Sequence, residues 1–338
     1  MQRFIIRRLV IVVPTLIAVT LVTFLIAHFV PGDPLAAVLG QRAMDNPEIV
    51  ANYRARWGLD KSLLEQYAIY LRNLLRGDLG LSIHTQRPVL TDLGDFFPAT
   101  IELALGALII SIGGGMLLGV LAAVNMYSWL DQLVRVIALI GSSMPVFWMA
   151  LIFLQIFYAG LGWAPGPGRL DSALTPPPSR TGLYVVDGAI AGQWAVVLNA
   201  LGHLVLPSIV LGWYQLGMIA RVTRASMLEV LYADYIRTAR AKGLAEKWVI
   251  LRHALKNAML PTVTVIGLAV AGLMAGAVQT ETIFAWPGIG RYAITSSETL
   301  DFPGIMGVTL VISGLFIGSS LIVDLLYGML DPRIRVAR

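Results

Sequence analysis

Cysteine is absent from the 338 residues, which removes disulfides, thiolate metal sites and cysteine nucleophiles from the chemistry open to the chain. Charge is scarce too. Asp, Glu, Lys and Arg make up 13% of the residues, about half the share usual in soluble domains, while hydrophobic residues reach 57% and mean hydropathy is +0.74. That balance excludes a soluble globular domain and specifies an integral membrane protein. Signatures of catalysis are missing as well: there is no GxxxxGK loop followed by Ser or Thr, no HExxH and no GxSxG. The four histidines, His28, His84, His203 and His253, are scattered, and no acidic pair has metal-ligand spacing within an apolar run. The chain is therefore not expected to be an enzyme, nor to hold a cofactor or metal of its own.

Six windows carry no Asp, Glu, Lys or Arg: 9–32, 103–130, 136–168, 188–220, 257–280 and 302–323. Each supplies a helix of about 20 residues, enough to cross roughly 30 Å of hydrocarbon. A membrane barrel would need many segments of about ten residues alternating apolar and polar, which these continuous runs are not. The expected fold class is an all-α integral membrane protein with six transmembrane helices. Arg3, Arg7 and Arg8 ahead of the first run also suit a signal peptide. The run is too long for one and ends at Val30, Pro31, Gly32 and Asp33 without a small-residue cleavage site, so a retained span is expected.

The Lys and Arg asymmetry orients the spans. With the amino terminus inside, cytoplasmic segments hold fifteen: three before the first span, Arg135, eight from Arg221 to Lys256 and three in the tail. The short outer loops hold three, Arg169, Arg180 and Arg291, and the other seven lie in a long segment beyond the reach of the rule. Both termini are expected in the cytoplasm. A basic inner face toward anionic lipid accounts for the net charge of +5 without a nucleic-acid partner.

The expected divisions are 1–30, the amino terminus and first span; 31–97, an extracytoplasmic helical segment; 98–328, a five-helix core containing a cytoplasmic loop at 221–259; and 329–338, a cytoplasmic tail. Within the outer segment Leu59, Leu63, Leu64, Tyr67, Tyr70, Leu71, Leu74 and Leu75 recur at helical intervals, with Gly77 as the stop. The Pro- and Gly-rich stretch 161–195 reads as an irregular connection. Gly115 and Gly119, Gly272 and Gly276, and Gly314 and Gly318 each form a GxxxG pair that would let helix backbones approach closely.

The loop before the fifth window is the most telling stretch. Leu228, Leu231, Tyr232, Tyr235, Ile236 and Ala239 fall on one helical stripe, with Glu229, Asp234, Arg237 and Arg240 largely elsewhere. Gly243 is placed to end that helix. A second amphipathic helix, 246–258, leads to Leu260 and Pro261, with the proline near the start of the next span.

Here the sequence resembles the permease subunits of binding-protein-dependent ABC importers, whose cytoplasmic loop carries the EAA motif. Thr238, Ala239, Arg240, Ala241, Lys242 and Gly243, with the later Leu260 and Pro261, occupy that motif's places. Arg237 stands where the general motif has Glu, and the gap to Leu260 is longer; both features are similar to the dipeptide, oligopeptide and nickel branch. FIIRRL at 4–9, PGDP at 31–34, GDLGLS at 77–82, PATIEL at 98–103, SMPVFW at 143–148, TETIFAWPGIGR at 280–291 and LDPRIR at 330–335 extend the likeness along the chain. The resemblance implies a type I ABC importer permease in a bacterial inner membrane. Its implied partners are a second homologous permease, two ATPase subunits that bind ATP and Mg, an extracytoplasmic substrate-binding protein and a peptide substrate. It also implies that Tyr235, Ile236, Arg237, Thr238, Ala239, Arg240, Ala241, Lys242 and Gly243 form the coupling helix that docks on an ATPase. An interfacial helix lying on membrane lipid is the alternative. Relatives carrying nickel complexes, glutathione or oligosaccharides share the architecture, so cargo stays open.

Few ionisable groups lie inside the windows, which argues against an ion-coupled secondary carrier. Glu102, His203, Glu281 and Asp324 sit near span ends, where they are expected to reach water. Glu281 is the candidate contact with the translocation path.

Overall fold

The computed structural model describes residues 2–29, 51, 58 and 60–330. Most of the expected segment from 31 to 59, including PGDP at 31–34, lies outside the described residues, as does the tail from 331 to 338. Among the described residues the chain is all-helical, with one isolated bridge, Leu81 to Pro88, in place of any strand. The helices are α1 (Gln2–Phe29), α2 (Leu63–Leu75), α3 (Val89–Val124), α4 (Trp129–Ser143), α5 (Val146–Phe153), α6 (Tyr184–Ile190), α7 (Trp194–Leu231), α8 (Asp234–Ala241), α9 (Glu246–Trp248), α10 (Leu255–Ile283), α11 (Ile289–Glu298) and α12 (Phe302–Leu330). Two π-helical stretches, Leu154–Gly160 and Val249–Ala254, continue α5 and α9.

The six charge-free windows fall in order on α1, α3, the α4–α5 pair, α7, α10 and α12. Four stretches are long and apolar enough to cross a membrane: Val89–Val124, Trp194–Leu231, Glu246–Val270 and Phe302–Leu321. The α4–α5 pair makes a fifth, bent by 114°. That break has a local cause: Met144 precedes Pro145, and the proline ring pushes it into extended backbone at φ −90°, ψ 131°. In α1 the apolar stretch Val10–Ile26 is shorter, and the arrangement is consistent with six spans.

Two compact units can be distinguished. One comprises 1–100 with 287–318. Helix α2 starts from a capping box between Ser62 and Glu65 and stops at Gly77, whose φ of +78° suits glycine, as expected. Its Tyr67 hydroxyl meets Thr20 of α1 at 2.9 Å, and the Phe24 ring stacks on Tyr70 at 5.9 Å. Burial pushes the Tyr70 phenol up to about 12, so it stays protonated. An apolar core of Val89, Leu93, Ile289, Tyr292 and Val308 joins α3, α11 and α12. Beside it the Ser82 hydroxyl donates to the buried Asp301 carboxylate at 2.5 Å, and the Ile289 N–H donates to Thr100 at 2.9 Å.

The second unit comprises 101–286 with 319–338, and α7 packs against α3, α4 and α10 within it. A Cβ added to Gly119 would lie 2.7 Å from the Ala220 carbonyl, and one at Gly115 would lie 2.9 Å from the Leu216 carbonyl, so this GxxxG pair does seat one backbone on another. Gly276 meets only the end of Leu211, and Gly272 meets Gln215. A Cβ added at Gly314 or Gly318 would meet no other part of the chain within 4 Å, so that pair makes no close approach within the described chain. Gly119→Val is therefore expected to force α3 off α7 and cost about 1–3 kcal/mol in thermal unfolding of the purified chain, with Gly314→Val within about 0.5 kcal/mol of the parent.

Candidate functional site

Helix α7 runs out at Leu231, and Ala233, extended at ψ 148°, resets the chain before α8 begins at Asp234. The expected stripe from Leu228 to Ala239 therefore does not lie on one helix. Tyr232 is 67% exposed and Tyr235 42% exposed, because the extended residue changes the phase of the pattern. Asp234 in the first turn of α8 suits the positive end of the helix dipole. Gly243, at φ +76°, lets the chain reverse, with its N–H on the Arg240 carbonyl at 2.9 Å.

The short helix has two faces. Ile236 and Ala239 are buried in an apolar core with Met227 of α7, Ala123 of α3, and Val249, Ala254 and Ala258. Tyr235, Arg237, Thr238, Arg240, Ala241, Lys242 and Gly243 are exposed. The Asn257 amide donates to the Tyr235 hydroxyl at 2.8 Å, tying the exposed face to α10. Arg240 forks onto Glu246 through Nε at 3.1 Å and Nη2 at 2.6 Å, and that carboxylate raises the guanidinium pKa further. Arg237 lies 3.6 Å from Asp234, while Lys247 sits 5.6 Å over the Trp248 ring. Leu244, Trp248 and Leu251 are exposed alongside, so a basic, partly apolar surface stands on a buried plug. The second helix of the loop differs from expectation: the π-helical stretch runs straight into α10, and Pro261 lies inside that helix rather than at its start.

The ionisable groups near span ends do not reach water as expected. Glu102, His203 and Glu281 are 6%, 4% and 0% exposed, each enclosed by the chain itself. Asp324 has its side chain outside the described set. Glu102 accepts from Arg169 Nη2 at 2.5 Å and from the Val185 N–H at 2.9 Å. The Arg169 guanidinium also lies 3.7 Å from the Tyr184 ring centroid and 5.7 Å from that of Trp286. Stretch 161–195 is thus ordered, and α6 within it is held by Asp187. Burial works against that carboxylate, yet hydrogen bonds from Thr181, Arg180 and Gly182 hold its pKa below the ordinary value. His203 bridges the Gly168 carbonyl and Asp171, each at 3.1 Å. A further pair joins Arg224 of α7, which the Lys and Arg count treats only as a topology signal, to Asp131 of α4, which the sequence reading does not single out. Among the described residues no group of three His, Asp or Glu side chains could hold a metal.

Residues 115–336 match the family described as binding-protein-dependent transport system inner membrane component, and residues 1–104 match the N-terminal region of such components. The chain belongs to this family of inner membrane transport components. It is 49% identical over 316 residues, 94% of this chain and 92% of the relative, to the Escherichia coli K12 protein named "Probable D,D-dipeptide transport system permease protein DdpB". It is 45% identical to the dipeptide transport system permease protein DppB of Alkalihalophilus pseudofirmus, over 99% of this chain and all of that one. A glutathione transport system permease protein, GsiC of Escherichia coli O6:H1, is 37% identical over 99% of both. In this inner membrane component, Glu102 of PATIEL and Trp286 of TETIFAWPGIGR meet at Arg169, and the proline of SMPVFW breaks the α4–α5 pair.

Proposed function

We propose that this chain is one permease of an ATP-driven importer that moves dipeptides or short oligopeptides across the cytoplasmic membrane. ATP and Mg belong to two separate ATPase subunits, and the path forms with a second homologous permease fed by an extracytoplasmic binding protein. The observation that carries this reading is α8, a short helix with a basic exposed face seated on a buried plug of Ile236 and Ala239. A helix so held presents Tyr235, Arg237, Thr238, Arg240, Ala241, Lys242 and Gly243 outward, and any push on it is delivered to α7 through Met227. Both termini then face the cytoplasm, and the 31–97 segment belongs to the outer side of the membrane. Peptide cargo rests on the names of the relatives, with glutathione as the second reading because one of them carries that name. Glu281, fully enclosed in this subunit, contributes to the path only where the partner permease or a rearrangement opens it.

Two measurements test the reading. A Cβ at Gly243 would meet open space, so Gly243→Trp leaves the packed core intact and alters only the docking surface and the local backbone. It is expected to reduce both ATPase co-purification and uptake; unchanged values for both place docking elsewhere. A binding screen of the cognate extracytoplasmic protein is expected to select peptides over nickel chelates, glutathione and sugars, and absence of peptide affinity there removes the cargo assignment alone.

A further inference from the structure

Along one face of α7, Trp213, Gly217, Ala220, Arg224 and Met227 follow at helical spacing. The first four meet α4 in antiparallel steps. Trp213 Nε1 donates to the Ile137 carbonyl at 3.2 Å, and a Cβ at Gly217 would fall 2.8 Å from the Ala138 carbonyl. Ala220 shares a small buried core with Val134 and with Ala122 of α3. Arg224 then closes the seam, its Nε and Nη2 reaching the two Asp131 carboxylate oxygens at 2.7 and 2.8 Å. The Asp131 side chain is wholly buried; it also accepts the Tyr127 N–H at 3.1 Å and lies 3.8 Å from Arg135 Nε. One turn beyond Arg224 comes Met227, which shares the loop core with Ile236 and Ala239.

Two helices seated backbone to side chain along such a seam need no ion pair to stay together, and a buried pair is weak evidence for stability. Its place is what matters. The pair stands between the α4–α7 seam and the core beneath α8, at the point where a displacement of the loop enters α7. A bidentate Arg–carboxylate contact is directional as well as attractive, so it resists sliding that apolar contacts tolerate. We infer that Asp131 and Arg224 are a positioning pair that makes α4, α7 and the loop core move as one body, so that a push on α8 is delivered to α4 and not dissipated at the seam. This rests on the reading of α8 as the ATPase contact.

The test uses the complete importer, with both permeases and both ATPases, in vesicles that report ATP hydrolysis and solute uptake together. Asp131→Asn and Arg224→Met are expected to keep the ATPases bound and to raise ATP consumed per solute by about tenfold, within the usual range of coupling between distant sites. The reciprocal D131R/R224D is expected to restore part of the ratio. A purely structural pair would lower complex yield and leave the ratio unmoved, and an unmoved ratio in assembled single variants overturns the inference. Where those variants fail to assemble, the absence of cysteine from this chain allows V134C/A220C to be locked with a short bis-methanethiosulfonate reagent, which forms a disulfide with each thiol and releases methanesulfinate. One rigid body predicts retained uptake after locking, and loss of uptake on locking, reversed by reduction, overturns it. Failure of the docking reading shows differently: Gly243→Trp then leaves ATPase binding unchanged, while the locked pair still reports whether α4 and α7 move together.

Discussion

Ile236→Asp is expected to abolish uptake and to release the ATPase subunits while the chain still inserts in the membrane. Ile236 has no solvent exposure, and its neighbours Met227, Val249, Ala254 and Ala258 offer a carboxylate no donor. An ionised group left there unpaired costs several kcal/mol, so α8 gives up its seat before the charge is accommodated. Because α8 is eight residues long, it has little helical stability of its own without that packing. Ile236→Val removes one methylene for about 0.5–1.5 kcal/mol and should keep near-parental transport. Co-purification and vesicle uptake, compared for the two variants, read the difference directly. Normal ATPase binding and uptake in Ile236→Asp would separate the buried plug from function.

Arg169→Met is expected to have the next largest effect. It leaves Glu102, 6% exposed, with the Val185 N–H and without its charged partner, and removing one member of a buried pair costs about 3–5 kcal/mol. The contact with the Tyr184 ring is lost as well, so α6 and the stretch 161–195 should loosen and become open to protease. The double variant R169M/E102L removes both charges and is expected to recover most of the loss. Thermal unfolding of the four chains of that cycle isolates the pair, and Arg169→Met within about 0.5 kcal/mol of the parent would show that the stretch is held by something else.

What could be read from the sequence follows from how far each signal reaches along the chain. The spans were legible because lack of charge over about 20 residues is a local property. The stop at Gly77 and the reversal at Gly243 are equally local, whereas the sequence reading takes 136–168 as one run and does not expect the break at Pro145. The stripe from Leu228 to Ala239 does not reveal two helices, because one extended residue, Ala233, shifts the periodicity without changing composition. Gly115 and Gly119 carried the same pattern as Gly314 and Gly318, and only the approach of Ala220 and Leu216 to the first pair distinguishes them. The ion pairs were out of reach for a different reason. Arg169 and Glu102 are 67 positions apart and Arg224 and Asp131 are 93 apart, and no pattern of charge along a chain specifies such partners. The loop helix 234–241 is legible as a motif, but its division into an outward basic side and a buried plug requires the fold.

One measurement bears most directly on the claim that this subunit is a gate driven by other proteins. The purified chain and the full complex would each be placed in vesicles and given either an ion gradient or ATP on the ATPase side. Uphill accumulation of peptide is expected from the complex with ATP alone. Accumulation by the isolated chain on an ion gradient, with no nucleotide present, would contradict the account.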